Sequence, residues 1–150
     1  SRTAPSPPLR IGSTGASILL AEDNATNRLV ARNFLQRLGV SVKEATDGRQ
    51  ALTLLAEENF DLVLMDVQMP VLDGLETARL IRDPATNVRQ HDIPIIAMTA
   101  RAMKGDEELC RSAGMNDYVA KPVHLEQLRA ALARWLPPEG SPARHPPAAS

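Results

Sequence analysis

The stretch DLVLMDVQMPVLDG, residues Asp61–Gly74, carries the strongest structural signal in the chain. Its first part, Leu62–Met65, is an unbroken apolar run, which is typical of a strand buried on both faces of a parallel sheet. The run ends in Asp66, and open α/β proteins bind ligands just past the carboxyl ends of such strands. The stretch therefore predicts an α/β fold with its chemistry near Asp66.

Four further short runs read as strands, and amphipathic patterns separate them. The runs are Ile18–Leu20, Val42–Ala45, Ile93–Met98 and Tyr118–Ala120. The clearest helical pattern repeats apolar side chains at i, i+3, i+4 and i+7 from Ala31 to Leu38, with Gly39 as its stop. Further helical patterns cover Arg49–Glu58, Leu75–Arg82, Asp106–Ala113 (ended by Gly114) and Leu125–Trp135.

This alternation amounts to five β/α pairs, (βα)₅. Because crossovers between parallel strands are right-handed, the helices must cover both faces of the sheet. The sequence therefore predicts a doubly wound three-layer sandwich around a parallel five-stranded sheet.

Composition narrows the classes of function. The chain has 150 residues and a formal net charge of −1, so it lacks the global field that would attract nucleic acid or an anionic membrane. We expect neither direct nucleic-acid binding nor membrane contact by this domain. The single cysteine, Cys110, cannot form an internal disulfide, and nothing at the N-terminus resembles a signal peptide. Both observations favour a reducing, cytoplasmic compartment.

The two ends differ from the middle in composition. Of 12 prolines, three precede Ser17 and five follow Leu136, among Ser, Ala and Gly. Such segments bury too little apolar area to offset the entropy of ordering them. We therefore expect a disordered linker at 1–16, a folded domain at 17–136 and a disordered Pro-rich tail or linker at 137–150. A piece of a longer protein and native disordered termini both fit this pattern.

Polar side chains follow four of the five predicted strands. Glu22 and Asp23 follow the first strand, Asp66 the third, Thr99 the fourth and Lys121 the fifth. Because the carboxyl ends of parallel strands share one edge of the sheet, these groups should converge there.

The chemistry of this group favours phosphoryl transfer. Three crowded carboxylates repel one another unless a cation lies among them, and ligands that are all oxygen favour Mg²⁺. Asp66 could attack phosphorus and form an aspartyl phosphate, while Thr99 and Lys121 bind the phosphoryl oxygens. Each residue alone has an ordinary interpretation, such as solvated surface for Glu22 and Asp23. Their joint placement at four strand ends favours a site.

At these residues the sequence resembles the receiver domains of two-component signalling, above all those within hybrid sensor histidine kinases. The matching segments are ILLAEDNATNRLVARNFLQRLG, DLVLMDVQMPVLDGLETARLIR and IPIIAMTARAMKGDEELCRSAGMNDYVAKPV, residues 18–39, 61–82 and 93–123. The resemblance implies a flavodoxin-like sheet of order 2-1-3-4-5, an order that we take from flavodoxin and receiver proteins themselves.

The resemblance also implies a role for each site residue. Asp66 would be the phosphoacceptor, and Mg²⁺ would bind Glu22, Asp23, Asp66 and the backbone carbonyl of Gln68. Thr99 and Lys121 would bind the phosphoryl group, and the Lys121–Pro122 peptide bond would be cis.

Further residues would control the signal. Thr99 would turn toward the phosphoryl group and Tyr118 would swing into the space behind it; an ordinary aromatic side chain at a sheet edge is the less favoured interpretation of Tyr118. Gln68 and Arg101 occupy positions that tune phosphoryl lifetime in the family. The output would pass through the surface of the fourth helix, fifth strand and fifth helix.

The implied partners are a phosphohistidine donor (a histidine kinase or a phosphotransfer domain) and a downstream phosphotransfer or output domain. The chain would not be an independent enzyme beyond its own phosphorylation and dephosphorylation. Its parent would be a hybrid histidine kinase, which is compatible with anchorage in the inner membrane.

Three alternatives remain open. The chain could be a free-standing response regulator, or a pseudo-receiver without chemistry. It could also be a haloacid dehalogenase-type phosphatase, although that class needs a second acid where Gln68 stands.

Overall fold

The structure, a computed structural model, describes residues 16–69, 71–100 and 104–136. Its ten elements alternate in the order strand, helix. The strands are β1 (Ser17–Ala21), β2 (Ser41–Ala45), β3 (Leu62–Asp66), β4 (Ile95–Thr99) and β5 (Asp117–Ala120). The helices are α1 (Ala25–Arg37), α2 (Gly48–Glu57), α3 (Gly74–Arg82), α4 (Lys104–Ser112) and α5 (Leu125–Trp135).

The five strands form one parallel sheet in the order β2-β1-β3-β4-β5, which confirms the predicted topology. In β3 and β4 every residue is buried, as the unbroken apolar runs required. The edge strand β2 alternates between exposed and half-buried positions before it ends in buried Ala45.

Helices cover both faces of the sheet, so the three-layer sandwich is also confirmed. One apolar core joins α1 and α5 to Leu20 and Leu64 of the sheet. The other joins α2, α3 and α4 to the opposite face, where Val63 and Met65 lie. Successive residues of a strand thus pack into different cores, because their side chains point to opposite faces of the sheet.

Side-chain caps fix where three of the helices begin. Oδ1 of Asn24, Asp47 and Asp73 accepts the backbone N–H three residues on, at 2.8 to 2.9 Å, at the starts of α1, α2 and α3. Gly39, the predicted stop of α1, has a φ of 90°, and Gly114, the predicted stop of α4, has a φ of 100°. The caps thus set the starts of α1 and α2 within four residues of the strands that precede them, whereas a longer loop separates β3 from α3.

Most element boundaries lie within one residue of the predicted runs, but three starts differ by more, and α1 begins at Ala25 rather than Ala31. β4 begins at Ile95 rather than Ile93, because Pro94 has no N–H to donate to a neighbouring strand. α4 begins at Lys104, two residues before its weak apolar pattern.

The predicted linker and tail lie, apart from Ala16, outside the described residues. Ala16 is buried, and its carbonyl accepts a hydrogen bond from the Ser41 N–H at 2.8 Å. Among the helices of the described ranges, none has the length and hydropathy needed to cross a bilayer.

Candidate functional site

Three carboxylates meet at the carboxyl edge of the sheet. One oxygen each of Glu22, Asp23 and Asp66 lies within 4.8 Å of the other two. Glu22 and Asp66 are 1% and 2% exposed, whereas Asp23 is exposed. The structure thus brings together the acids that follow β1 and the acid that closes β3.

Lys121 joins the acids from the end of β5. Its Nζ lies 2.9 Å from Oδ1 of Asp66 and 3.2 Å from Oε1 of Glu22. Its backbone N–H donates to the carbonyl of Thr99 at 2.8 Å, and the Lys121–Pro122 peptide bond is cis, as the resemblance implied. One ammonium therefore contacts two of the three carboxylates.

Asp66 is held in one orientation. Its Oδ1 accepts hydrogen bonds from Lys121 and from the Gln68 N–H at 3.1 Å. The following loop turns back tightly, because the Gly74 N–H donates to the Val67 carbonyl at 2.8 Å. A Cβ on Gly74 would lie 2.2 Å from the Asp66 carbonyl oxygen, so this return needs glycine.

Glu22 is the electrostatically unusual member of the cluster. Its Oε2 accepts the Asn24 N–H at 3.1 Å, whereas its buried Oε1 lacks an aligned hydrogen-bond donor among the described residues, with Lys121 the nearby cation. The pKa of Glu22 is raised to about 7, chiefly by burial and also by the hydrogen bond and negative charge of Asp66, while the Asn24 N–H and Lys121 lower it by less.

Lys121 shows the reciprocal effect. Burial disfavours its ammonium, but hydrogen bonds and Coulombic attraction from Asp66 and Glu22 outweigh burial and raise the pKa of Lys121. The lysine therefore stays charged at neutral pH and faces two acids.

The donor set fits a hard divalent cation. It consists of oxygens, one of them a buried carboxylate oxygen without an aligned donor, and two of the three acids are buried together. A cation among them would offset the burial and the negative charge of Asp66 that together raise the pKa of Glu22.

Four further residues were predicted to belong to the site or to its switch: Thr99, Tyr118, Gln68 and Arg101. Thr99 closes β4, is 7% exposed and lies at the same edge, next to the strand that bears Asp66. Tyr118 is half-buried against the core, and its hydroxyl lies 3.4 Å from Oε1 of Glu107 on α4. The side chain of Gln68 is exposed. Arg101 lies outside the described residues.

Sequence reasoning missed Arg28. Its NH1 donates to the backbone carbonyls of Glu22 at 2.9 Å and Asp23 at 3.3 Å. The available signal was a cation in the first turns of a helix, where the positive end of the helix dipole disfavours it.

A cleft of about 80 Å³ adjoins the acids, between α1 and the start of α5. Glu22, Val30, Lys121 and Pro122 are among the residues that line it. Val30, which lines the cleft, is 39% exposed, and the preceding Leu29 is 46% exposed, so α1 carries two exposed apolar side chains, one of them at the cleft.

Comparisons with known proteins agree with this geometry. A family model described as the response regulator receiver domain matches residues 18–133. Hybrid signal transduction histidine kinase K of Dictyostelium discoideum is 40% identical over 119 residues, which cover 77% of this chain and 10% of that kinase. The chain thus spans a small part of the length of the relatives that it matches.

Two solved structures show the same fold. The receiver domain of the sensor histidine kinase PA1611 of Pseudomonas aeruginosa, with magnesium coordinated in its active site cleft, is 43% identical with a TM-score of 0.73; the match covers 81% of this chain and 98% of that one. The receiver domain of Ssk1 from Saccharomyces cerevisiae, crystallised with the histidine phosphotransfer protein Ypd1, is 32% identical with a TM-score of 0.73; the match covers 81% and 89%.

Sequence, fold and the residues at the strand ends lead to the same family. The chain belongs to the response regulator receiver domain family of two-component signalling, and its relatives include hybrid histidine kinases.

Proposed function

We propose that this receiver takes a phosphoryl group from a phosphohistidine donor onto Asp66, with Mg²⁺ bound by the acidic cluster. The observation that carries the proposal is the position of Asp66, which lies at the end of a buried strand within reach of both an ammonium and two further acids. Phosphoryl transfer needs little more from a protein than alignment and charge neutralisation.

The reaction is a displacement at phosphorus. The Asp66 carboxylate attacks, a P–O bond forms as the P–N bond to the donor imidazole breaks, and the electron pair leaves with that nitrogen, which takes up a proton. The contacts of Oδ1 with Lys121 and Gln68 hold the carboxylate in place during attack.

Glu22, Asp23, Asp66 and the Gln68 carbonyl would hold the Mg²⁺. When bound, the ion neutralises charge that builds on the phosphoryl oxygens. The all-oxygen donor set and the raised pKa of Glu22 support this assignment, as does the magnesium in the similar Pseudomonas aeruginosa receiver.

Lys121 and Thr99 would bind the transferred group. The ammonium of Lys121 already contacts Asp66, so it can pair with an oxygen of the new ester without travelling far. Thr99 closes the neighbouring strand and would supply a hydroxyl donor. Gln68, whose side chain is exposed, and Arg101 would modulate how readily water reaches the ester.

The change would then reach the surface through Tyr118. This residue is half-buried against the core, and its hydroxyl contact with Glu107 of α4 is long at 3.4 Å, so the hydroxyl end of the ring is held only weakly. Within the part of α4 whose side chains the structure describes, residues 107–112, Leu109 is exposed and Cys110 alone is buried, which suits an element that must shift. Phosphorylation would bias the population of two arrangements of Thr99, Tyr118 and α4.

The domain has two candidate partner surfaces. The exposed apolar side chains of Leu29 and Val30, the second of which lines the cleft, would receive the phosphohistidine donor, and the likeness to a receiver crystallised with a phosphotransfer protein supports such a partner. A second cleft of about 380 Å³ lies between β5 and α5, lined in part by Tyr118 and Arg134, and would receive the downstream phosphotransfer or output domain.

The domain would occupy residues 17–136, in the cytoplasmic part of a hybrid histidine kinase, and would have no independent enzymatic activity. The likeness to hybrid kinases, each much longer than this chain, supports that origin over a free-standing regulator.

Asp66→Asn tests the central claim. The amide is a far poorer nucleophile, so labelling by a phosphohistidine donor should disappear while the circular dichroism spectrum is unchanged. The matched control is Asp47→Asn, an identical chemical change at the start of α2, where asparagine caps a helix as well as aspartate does. Stoichiometric labelling of Asp66→Asn would refute the assignment.

The rival functions predict different results. Steady turnover of a small phosphoester would indicate a phosphatase, and failure of the wild type to bind beryllofluoride with Mg²⁺ would indicate a pseudo-receiver. The exposed amide of Gln68, in the place where the phosphatase class needs an acid, disfavours the first.

A further inference from the structure

The three acids of the cluster are positioned in different ways. Glu22 and Asp66 are buried, and hydrogen bonds from Asn24, Gln68 and Lys121 hold their carboxylates. Asp23 is exposed, and among the described residues its carboxylate has no hydrogen-bond donor. Its direction therefore depends on the backbone that carries it.

Arg28 fixes that backbone. NH1 of Arg28 donates to the carbonyls of both Glu22 and Asp23, at 2.9 and 3.3 Å. These two carbonyls belong to the peptide units on either side of the Asp23 Cα, so holding both restricts φ and ψ of Asp23 and hence the direction of its Cβ. The Glu22 N–H donates to the Ala45 carbonyl at 3.0 Å, which holds the segment from the other side.

Arg28 is itself held in place. Its side chain is 19% exposed, and its Nε lies 3.4 Å from Oε1 of Glu44 on β2. Arg32 contacts the other oxygen of Glu44 at 3.1 Å but reaches neither carbonyl. A cation near the start of α1 is unfavourable to the helix dipole, and the contacts of Arg28 with two carbonyls and with Glu44 offset that cost.

We propose that Arg28 is a positioning residue, whose guanidinium fixes the two peptide units around Asp23 and thereby directs the Asp23 carboxylate toward the divalent cation. The inference rests on the Mg²⁺ site of the proposed function. It extends that site to a residue of α1 that contacts the ligands through their backbone.

Whether Arg28→Gln weakens or tightens Mg²⁺ binding distinguishes a positioning role of Arg28 from an effect of its charge. Arg28 is a cation near a cation site, so if it acted through charge alone, Arg28→Gln would tighten Mg²⁺ binding. If it positions Asp23, the same variant should weaken binding by about 10-fold or more, the usual cost of losing a residue that orients a metal ligand. Isothermal titration calorimetry of the unphosphorylated protein measures this Kd directly.

Two further variants complete the test. Arg28→Lys keeps the charge but loses the planar fork, so it should also bind Mg²⁺ more weakly, and it decides the question if Arg28→Gln does not fold. Arg32→Gln removes the other cation that pairs with Glu44, and this variant should bind Mg²⁺ as the wild type does. In phosphotransfer assays, the Arg28 variants should need more Mg²⁺ but approach the wild-type rate when saturated.

The outcomes are distinct. Unchanged or tighter binding by the folded Arg28 variants, or equal weakening by Arg32→Gln, would overturn the role of Arg28 and leave the proposed function intact. Absence of Mg²⁺ binding by the wild type would overturn the proposed site and the inference together.

Discussion

Glu22 is the residue whose charge state links the site to pH. Its pKa is about 7 in the folded protein against an ordinary 4.5, so between these values the folded state binds more protons than the unfolded state. The free energy of unfolding of the metal-free protein should therefore fall as pH rises from about 4.5 through 7. Above that range the ionised carboxylate is held at a cost that a bound cation would relieve.

The first prediction follows from this sign. Thermal unfolding of the metal-free wild type should show lower stability at pH 8 than at pH 6, and Mg²⁺ should raise the Tm more at pH 8. In Glu22→Gln, which is neutral throughout, this component of the pH dependence should be missing. Equal pH profiles for the two proteins would contradict the raised pKa.

At the residue scale, the sequence predicted that three acids and the Lys121 ammonium come together, because strand ends share an edge. It could not predict the pKa of Glu22, which depends on burial against Asp66 and on a long-range contact with Lys121. Nor could it predict Arg28, because its hydrogen bonds run to backbone carbonyls, which every residue has.

At the scale of elements, Arg82 joins segments that are distant in sequence. From the end of α3 its guanidinium donates to the carbonyls of His91 at 2.6 Å and Gly114 at 2.9 Å, and to Oδ1 of Asn116 at 2.8 Å. The same Asn116 oxygen accepts the Ile95 N–H at 2.8 Å. One side chain thus ties α3 to the starts of β4 and β5.

The second prediction is that Arg82→Ala lowers stability without changing Mg²⁺ binding. Its loss leaves half-buried acceptors without their donor, which should cost about 1–3 kcal/mol in urea unfolding. Arg79→Ala, three residues earlier on the exposed face, breaks a surface pair with Glu76 and should cost less than about 1 kcal/mol. Equal losses of unfolding free energy in the two variants would show that Arg82 stabilises the fold no more than a surface arginine does.

Element types were predictable because long apolar runs and helical spacing are local signals. Element boundaries were less so, as β4 and α4 show. The weak apolar pattern of α4 gave a late start, since its first turn contains Lys104, Gly105 and Asp106, which no pattern of apolar residues marks.

At the scale of the whole molecule, the sheet separates two apolar cores, and the site lies at the edge where both end. A change at Asp66 can reach the surface through β4 and β5 because these strands pair side by side, with Thr99 beside Ala120 and Ala97 beside Tyr118. The strand order was foreseeable from known folds; which surface responds depends on packing that composition does not encode.

Trp135 offers a way to detect this response. It is the single tryptophan of the chain, at the end of α5, and its indole N–H donates to Oδ2 of Asp117 at 2.9 Å. Asp117 directly precedes Tyr118, and its other oxygen accepts the Tyr118 N–H at 2.8 Å. Movement of Tyr118 should therefore disturb the surroundings of the indole.

The third prediction is that beryllofluoride with Mg²⁺, a mimic of the phosphorylated state, changes the fluorescence of Trp135. Binding at Asp66 would draw Thr99 inward, Tyr118 would follow, and the Asp117 contact with the indole would shift. Thr99→Ala should still bind the mimic, as fluorine NMR would show, but with a smaller change in emission. If the wild-type protein is saturated with beryllofluoride and its fluorescence is unaltered, the end of α5 does not change when Asp66 is occupied. The output would then have to pass through another face.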